Sequence, residues 1–182
     1  MNKSVQTSIQ HLKSTDRSLQ TKAFLDLQFQ TEEVVDWAYD VWDDLVSDLS
    51  HSDNHCRAIA AQLLSNLAKS DPEKRILQDF PKLLAVTWDK RFVTARHTLQ
   101  SLWKIGIAGD TQKDMVLDAL ADRYRNCADE KNGTLIRYDI LVGFRQLYDW
   151  VDDEKIREGS LNLIKLELDP KYRKKYAAVW KK

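Results

Sequence analysis

The sequence predicts an all-α fold of stacked helix pairs, and three observations carry that expectation. Only five Gly and three Pro interrupt 182 residues, so helix breakers are scarce. Leu occurs 23 times, more than Val (11) and Ile (9) together, a bias toward unbranched apolar side chains that favours helix over strand. Apolar residues also recur at spacings of three and four, as in Ile59, Leu63, Leu64 and Leu67, which places them on one helical face. A hydrophobic fraction of 43% with six Trp can fill a core, which excludes wholesale disorder.

The elements follow in order. Periodicity predicts helices over 3–13, 16–30, 32–50, 53–69, 73–87, 91–106, 111–127, 132–149, 154–168 and 171–180. The first carries only Val5, Ile9 and Leu12 as apolar positions, as a terminal element with a polar outer face should. Asp16, Asp53 and Asp71 sit where N-caps are needed, with Pro72 at the first helical position after Asp71. Gly106 and Gly109 end the sixth helix, Asn132–Gly133 marks a turn or a helix start, and Asp169–Pro170 breaks the chain before the last helix. Leu161, Ile164, Leu168, Tyr172, Tyr176 and Trp180 could close that end.

The helices repeat in pairs. Within the second member of each pair the pattern reads Leu19–Gln20, Ala23, Leu27; then Cys56–Arg57, Ala60, Leu64, Leu67; then Thr94–Ala95, Thr98, Leu102, Ile105; then Ile136–Arg137, Ile140, Phe144, Leu147. The intervals are 37, 38 and 42 residues. A period near forty with two helices per unit is the spacing of an α-solenoid, in which each pair buries its apolar surface only against its neighbours.

Phe80–Pro81–Lys82–Leu83–Leu84, Trp88–Asp89 and Leu102–Trp103–Lys104–Ile105–Gly106 in the third unit, with Cys56–Arg57–Ala58–Ile59–Ala60–Ala61 in the second, make the chain resemble the HEAT-repeat family. Pro81 falls inside the first helix of its pair, where HEAT helices are commonly bent. The match departs from the family where Gln30 replaces a final apolar residue and Ala95 replaces the Arg. The resemblance implies a right-handed α-solenoid of about four to five antiparallel pairs in one domain over 1–182, with units near 3–30, 32–69, 73–106 and 111–149 and a cap at 154–180. It also implies first helices on the convex side, second helices on the concave side, and a scaffold for protein or nucleic-acid partners.

Charge and motif content narrow the function classes. Lys plus Arg and Asp plus Glu are each 28, so gross attraction to nucleic acid or an anionic membrane is not expected. The first twenty residues hold no apolar run and nothing later approaches a membrane span, so a cytoplasmic protein is expected. Cys56 and Cys127 read as free thiols. No glycine-rich phosphate loop, His-Glu-x-x-His or Gly-x-Ser-x-Gly occurs, and no His is followed by Glu as in HEAT-type iron hydroxylases. No cofactor, metal, catalytic residue or obligate small molecule is therefore expected. His51, His55 and Cys56 fall short of a four-ligand zinc set. His97 and Asp139 fit a structural hydrogen bond better than a general base. The six Trp read as core and inter-repeat packing.

In register, second-helix positions form columns: Thr21, Ala58, Arg96, Tyr138, and one heptad later Gln28, Ser65, Trp103, Arg145. Arg96, Trp103, Tyr138 and Arg145, flanked by Lys104 and Gln146, would form a concave patch of the Arg and aromatic residues that dominate protein interfaces. A peptide or protein partner on this patch is the leading expectation, with Trp103→Ala leaving folding largely intact. Residues 31–50 carry seven acids and no base, and Asp36, Asp40, Asp43 and Asp44 offer a second, acidic surface. The alternative is a nucleic-acid binder resembling alkylpurine DNA glycosylases, which are built like HEAT arrays. Trp103, Asp139, Arg96 and Arg145 would then take the aromatic, acidic and cationic roles.

Overall fold

The computed structural model describes residues 3–181, and among them the chain is all-helical, without a strand. Ten α-helices follow in order: α1 (Lys3–Leu12), α2 (Arg17–Gln30), α3 (Ala38–Asp48), α4 (Asn54–Leu67), α5 (Ile76–Ala85), α6 (Phe92–Ser101), α7 (Asp110–Asn126), α8 (Gly133–Val151), α9 (Glu154–Lys165) and α10 (Pro170–Ala178). Three 3₁₀ segments, Ala68–Ser70, Val86–Trp88 and Leu102–Ala108, extend α4, α5 and α6. Each of the ten expected helices is present, with shifted ends.

Capping chemistry explains four of the ten starts. The Asp16 carboxylate accepts from the Ser18 and Leu19 amides, Asp53 from His55, Asp153 from Lys155 and Asp169 from Lys171. Each satisfies a donor that the first turn leaves open. Two starts come later than the pattern suggests. Helix α3 begins at Ala38 rather than near residue 32; Thr31 folds back first, its amide and hydroxyl both bonding the Leu27 carbonyl. Helix α5 begins at Ile76 because Lys74 adopts φ 56° and breaks the run after Asp71–Pro72. Asp71 still serves that helix, accepting from the Ile76 amide at 2.7 Å. Pro81 lies inside α5, and α6 gives way at Leu102 to a seven-residue 3₁₀ run ended by Gly109, φ 153°.

The chain divides into two compact units, Met1–Thr98 and Leu99–Lys182, the boundary falling within α6. In the first, α1 packs on α2, α3 on α4, α2 on α4, and α3 on α5. Its core holds Leu27, Trp42, Leu64, Leu67, Ile76 and Leu83. In the second, the 3₁₀ run packs on α7 and α8, α8 on α9, α7 on α9, and α10 on α9 and α8. Its core holds Leu99, Leu102, Ile105, Tyr124, Ile140 and Tyr176. Within each unit these contacts join a helix to its next or next-but-one neighbour.

The buried polar bonds keep the same step. Arg57 grips Asp89 with two bonds, Nε to Oδ2 at 2.5 Å and Nη2 to Oδ1 at 2.9 Å. At the equivalent position two pairs on, Arg137 donates to Glu167 at 2.8 Å. Trp42 donates to Asp79 and Asn66 to Thr31. The partners in these bonds stand 30 to 37 residues apart, about the length of one helix pair.

Candidate functional site

The expected patch is distributed over several environments. In the first unit Arg96 is half-buried and His97 exposed. In the second, Trp103 is only 8% exposed. Its side chain lies over Gly143 of α8, whose missing Cβ would stand 3.6 Å from the Trp103 Cβ. Trp103 is thus a core residue, and the expectation that Trp103→Ala leaves folding intact gives way to a packing role. The reason is local: in the 3₁₀ run residues three apart eclipse, so Trp103 aligns with buried Gly106. Lys104 places its Nζ 6.0 Å from the Trp103 ring centroid.

Tyr138, Arg145 and Gln146 sit together on a different face of α8. A helix turns about 100° per residue, which puts Tyr138 and Arg145 on one side and Gly143 on nearly the opposite one. Helix α10 runs beside the first side. Lys175 Nζ lies 4.5 Å from the Tyr138 ring centroid, and the Arg145 guanidinium lies 5.4 Å and 5.5 Å from the centroids of Tyr148 and Trp180. Arg145 also pairs with Asp149 at 2.6 Å, and that carboxylate raises its pKa further above the ordinary guanidinium value. Tyr138, Val142 and Arg145 are half-buried, while Gln146 and Asp149 are exposed. Asp139 is buried and accepts from Gln100 Nε2 at 3.1 Å.

Sequence reasoning missed Trp150, one turn beyond Gln146 and 67% exposed. Its spacing from Leu147 and Gly143 places it on the packed face, but the last turn of α8 is left bare there. Trp88 is likewise exposed, whereas Trp37, Trp42, Trp103 and Trp180 are buried; the reading of all six as packing residues holds for those four. A signal was present in the chain: Asp152–Asp153 follow Val151, and Asp153 caps the next helix, so α8 stops just after presenting Trp150.

The acidic surface is partly neutralised. Asp43 pairs with Arg75, and Asp44 with Lys13 at 2.7 Å. Asp36 and Asp40 remain exposed. Near this helix an open groove of about 630 Å³ is lined by Lys13, Arg17, Gln20, Asp48, His51 and Cys56. Cys56 Sγ accepts from Gln20 Nε2 at 3.6 Å, and burial pushes its thiol up, which suppresses the thiolate that nucleophilic chemistry would need. Burial, with the Arg17 charge, holds His55 below the usual imidazole value, and its Nε2 is buried without a hydrogen-bond partner. Among the described residues no three His, Cys, Asp or Glu converge as a metal cluster. Cys56 and Cys127 are free, and no described helix is long and apolar enough to cross a membrane.

Two crystal structures of engineered proteins from the Northeast Structural Genomics Consortium are similar to this chain. One superposes with TM-score 0.56 at 20% identity, covering 98% of this chain and 79% of its own. The other gives 0.55 at 18%, covering 98% and 78%. At such identity the likeness is one of fold alone. No family model and no curated protein matches the sequence.

Proposed function

We propose that the chain is a HEAT-like α-solenoid serving as a non-enzymatic interaction module of the cytoplasm, and that it binds a protein or peptide partner on second-helix surface. Support for the repeat comes from Arg57 and Arg137, which occupy equivalent positions and each reach a buried acid about one helix pair downstream. The free cysteines accord with a reducing compartment. The docking surface is the bare last turn of α8, and one observation carries it: Trp150, two-thirds exposed, stands one turn beyond the exposed Gln146. A bare Trp is among the residue types that most often anchor a binding hot spot.

Selection of a displayed peptide library on the immobilised protein tests this reading. Recovered peptides should bind at least tenfold more weakly to Trp150→Ala, a loss of about 1.4 kcal/mol, while the variant melts within a few degrees of the parent. Failure to enrich any peptide, or peptides indifferent to Trp150→Ala, counts against the α8 surface. A preference for duplex DNA over every recovered peptide would favour the nucleic-acid alternative instead.

A further inference from the structure

We propose that the edge formed by the end of α9 and the start of α10 receives an acidic, leucine-bearing segment of the partner; this deepens the interaction-module reading and rests on it. Two features meet there. The first is uncompensated positive charge. Many cations elsewhere find carboxylates, as Lys13, Arg17, Arg57, Arg75, Lys113, Arg123 and Arg137 do. Among the described residues Lys165, Lys171, Lys174 and Lys175 make no such pair. Lys165 donates to the Asn162 side-chain amide, and Lys175 lies over Tyr138. The acids close by are already engaged: Glu167 is buried and takes Arg137, while Asp169 caps the Lys171 amide.

The second feature is bare apolar surface amid those cations. Leu168 is 86% exposed, Leu166 50% and Leu161 36%. Leu161 and Lys165, four apart, share one side of α9, and Leu168 follows three residues on, in the non-helical link to α10. A ligand matching the whole edge must offer carboxylates and apolar side chains together. A nucleic acid would meet the lysines with phosphate but leave Leu166 and Leu168 without partners. An anionic bilayer needs an apolar helix face to enter the headgroup region, and α10 keeps Tyr176 and the following Trp180 buried. An amphipathic segment alternating Glu or Asp with Leu satisfies both halves.

The same displayed library separates this edge from the α8 surface. We expect a class of peptides with a net charge of −3 or lower and at least two Leu, Ile or Phe. Measured by fluorescence anisotropy, such a peptide should bind at least tenfold more weakly to Lys165→Glu/Lys171→Glu/Lys174→Glu and to Leu166→Ser/Leu168→Ser. Binding should persist in Trp150→Ala, and all variants should melt close to the parent because every substituted side chain is exposed. Enrichment only of peptides that require Trp150 would overturn this inference and leave the broader reading standing. Charge-triple sensitivity without any effect of the leucine pair would overturn it too, as would tighter binding of a twenty-nucleotide single strand or of phosphatidylserine vesicles.

Discussion

Arg57 makes four hydrogen bonds within its unit: to both Asp89 oxygens and, through Nη1, to the carbonyls of His51 and Ser52. Its side chain and that of Asp89 are both almost wholly buried, so removing one strands the other. Arg57→Ala should cost about 3 kcal/mol or more, read as a lowered urea midpoint. Asp89 supplies a pH test. Burial alone would raise its carboxyl, but the hydrogen bonds from Arg57 and the Arg91 amide, with the Arg57 charge, hold it below the ordinary value. A folded pKa below the unfolded one, near 3.9, contributes stability in full above about pH 4, and loses it as pH falls through the depressed value. His55 acts higher up. Its imidazole resists protonation when folded, whereas the unfolded chain takes up that proton near pH 6.5, so stability should start to decline as pH drops below about 6.5. Melting temperature against pH should therefore fall in two steps. Asp89→Asn should remove the acid step and His55→Gln the upper one; a profile that keeps both steps in these variants refutes the assignment.

Helix placement was legible from the chain because caps and breakers act locally. Asp16, Asp53, Asn132 and Asp169 flank α2, α4, α8 and α10 as the pattern requires. The late starts of α3 and α5 were not legible, since Thr31 folding back and a left-handed Lys74 depend on what surrounds them. The patch was harder still. Its columns assume an unbroken α-helix through residue 103, but the 3₁₀ run begins at Leu102, and Trp103 is drawn into the space that Gly143 leaves. Trp103→Ala should accordingly cost about 3–5 kcal/mol. Two glycines sharpen the point about elements. A Cβ on Gly133, at the start of α8, would lie 2.2 Å from the Cys127 carbonyl oxygen, and backbone cannot step aside cheaply. Gly159, inside α9, meets nothing within 4 Å. Gly133→Ala should destabilise by about 2 kcal/mol or more. Gly159→Ala should stabilise by roughly 0.5–1 kcal/mol. Thermal melts of the pair check both signs.

At the scale of the whole chain, 28 acids balance 28 bases and the isoelectric point lies near 6.9. Near neutral pH no net charge holds copies apart. The balance is uneven along the sequence, with residues 31–50 at −7 and residues 163–182 at +5. The two ends also differ in kind. Lys13 and Arg75 already meet two of the acids, while the α10 lysines meet none. Attraction between opposite patches on different copies should therefore be present but shallow, and sensitive to screening, whose length is about 10 Å at 0.1 M salt. Static light scattering should show self-association strongest near pH 7 in low salt. It should weaken on adding about 0.3 M salt, and also at pH 9, where net negative charge restores repulsion. Lys171→Glu/Lys174→Glu should weaken it at pH 7 without salt. Association that salt leaves unchanged, or strengthens, would assign it instead to apolar surface such as Leu168 and Trp150, since burial of that surface is indifferent to ionic screening.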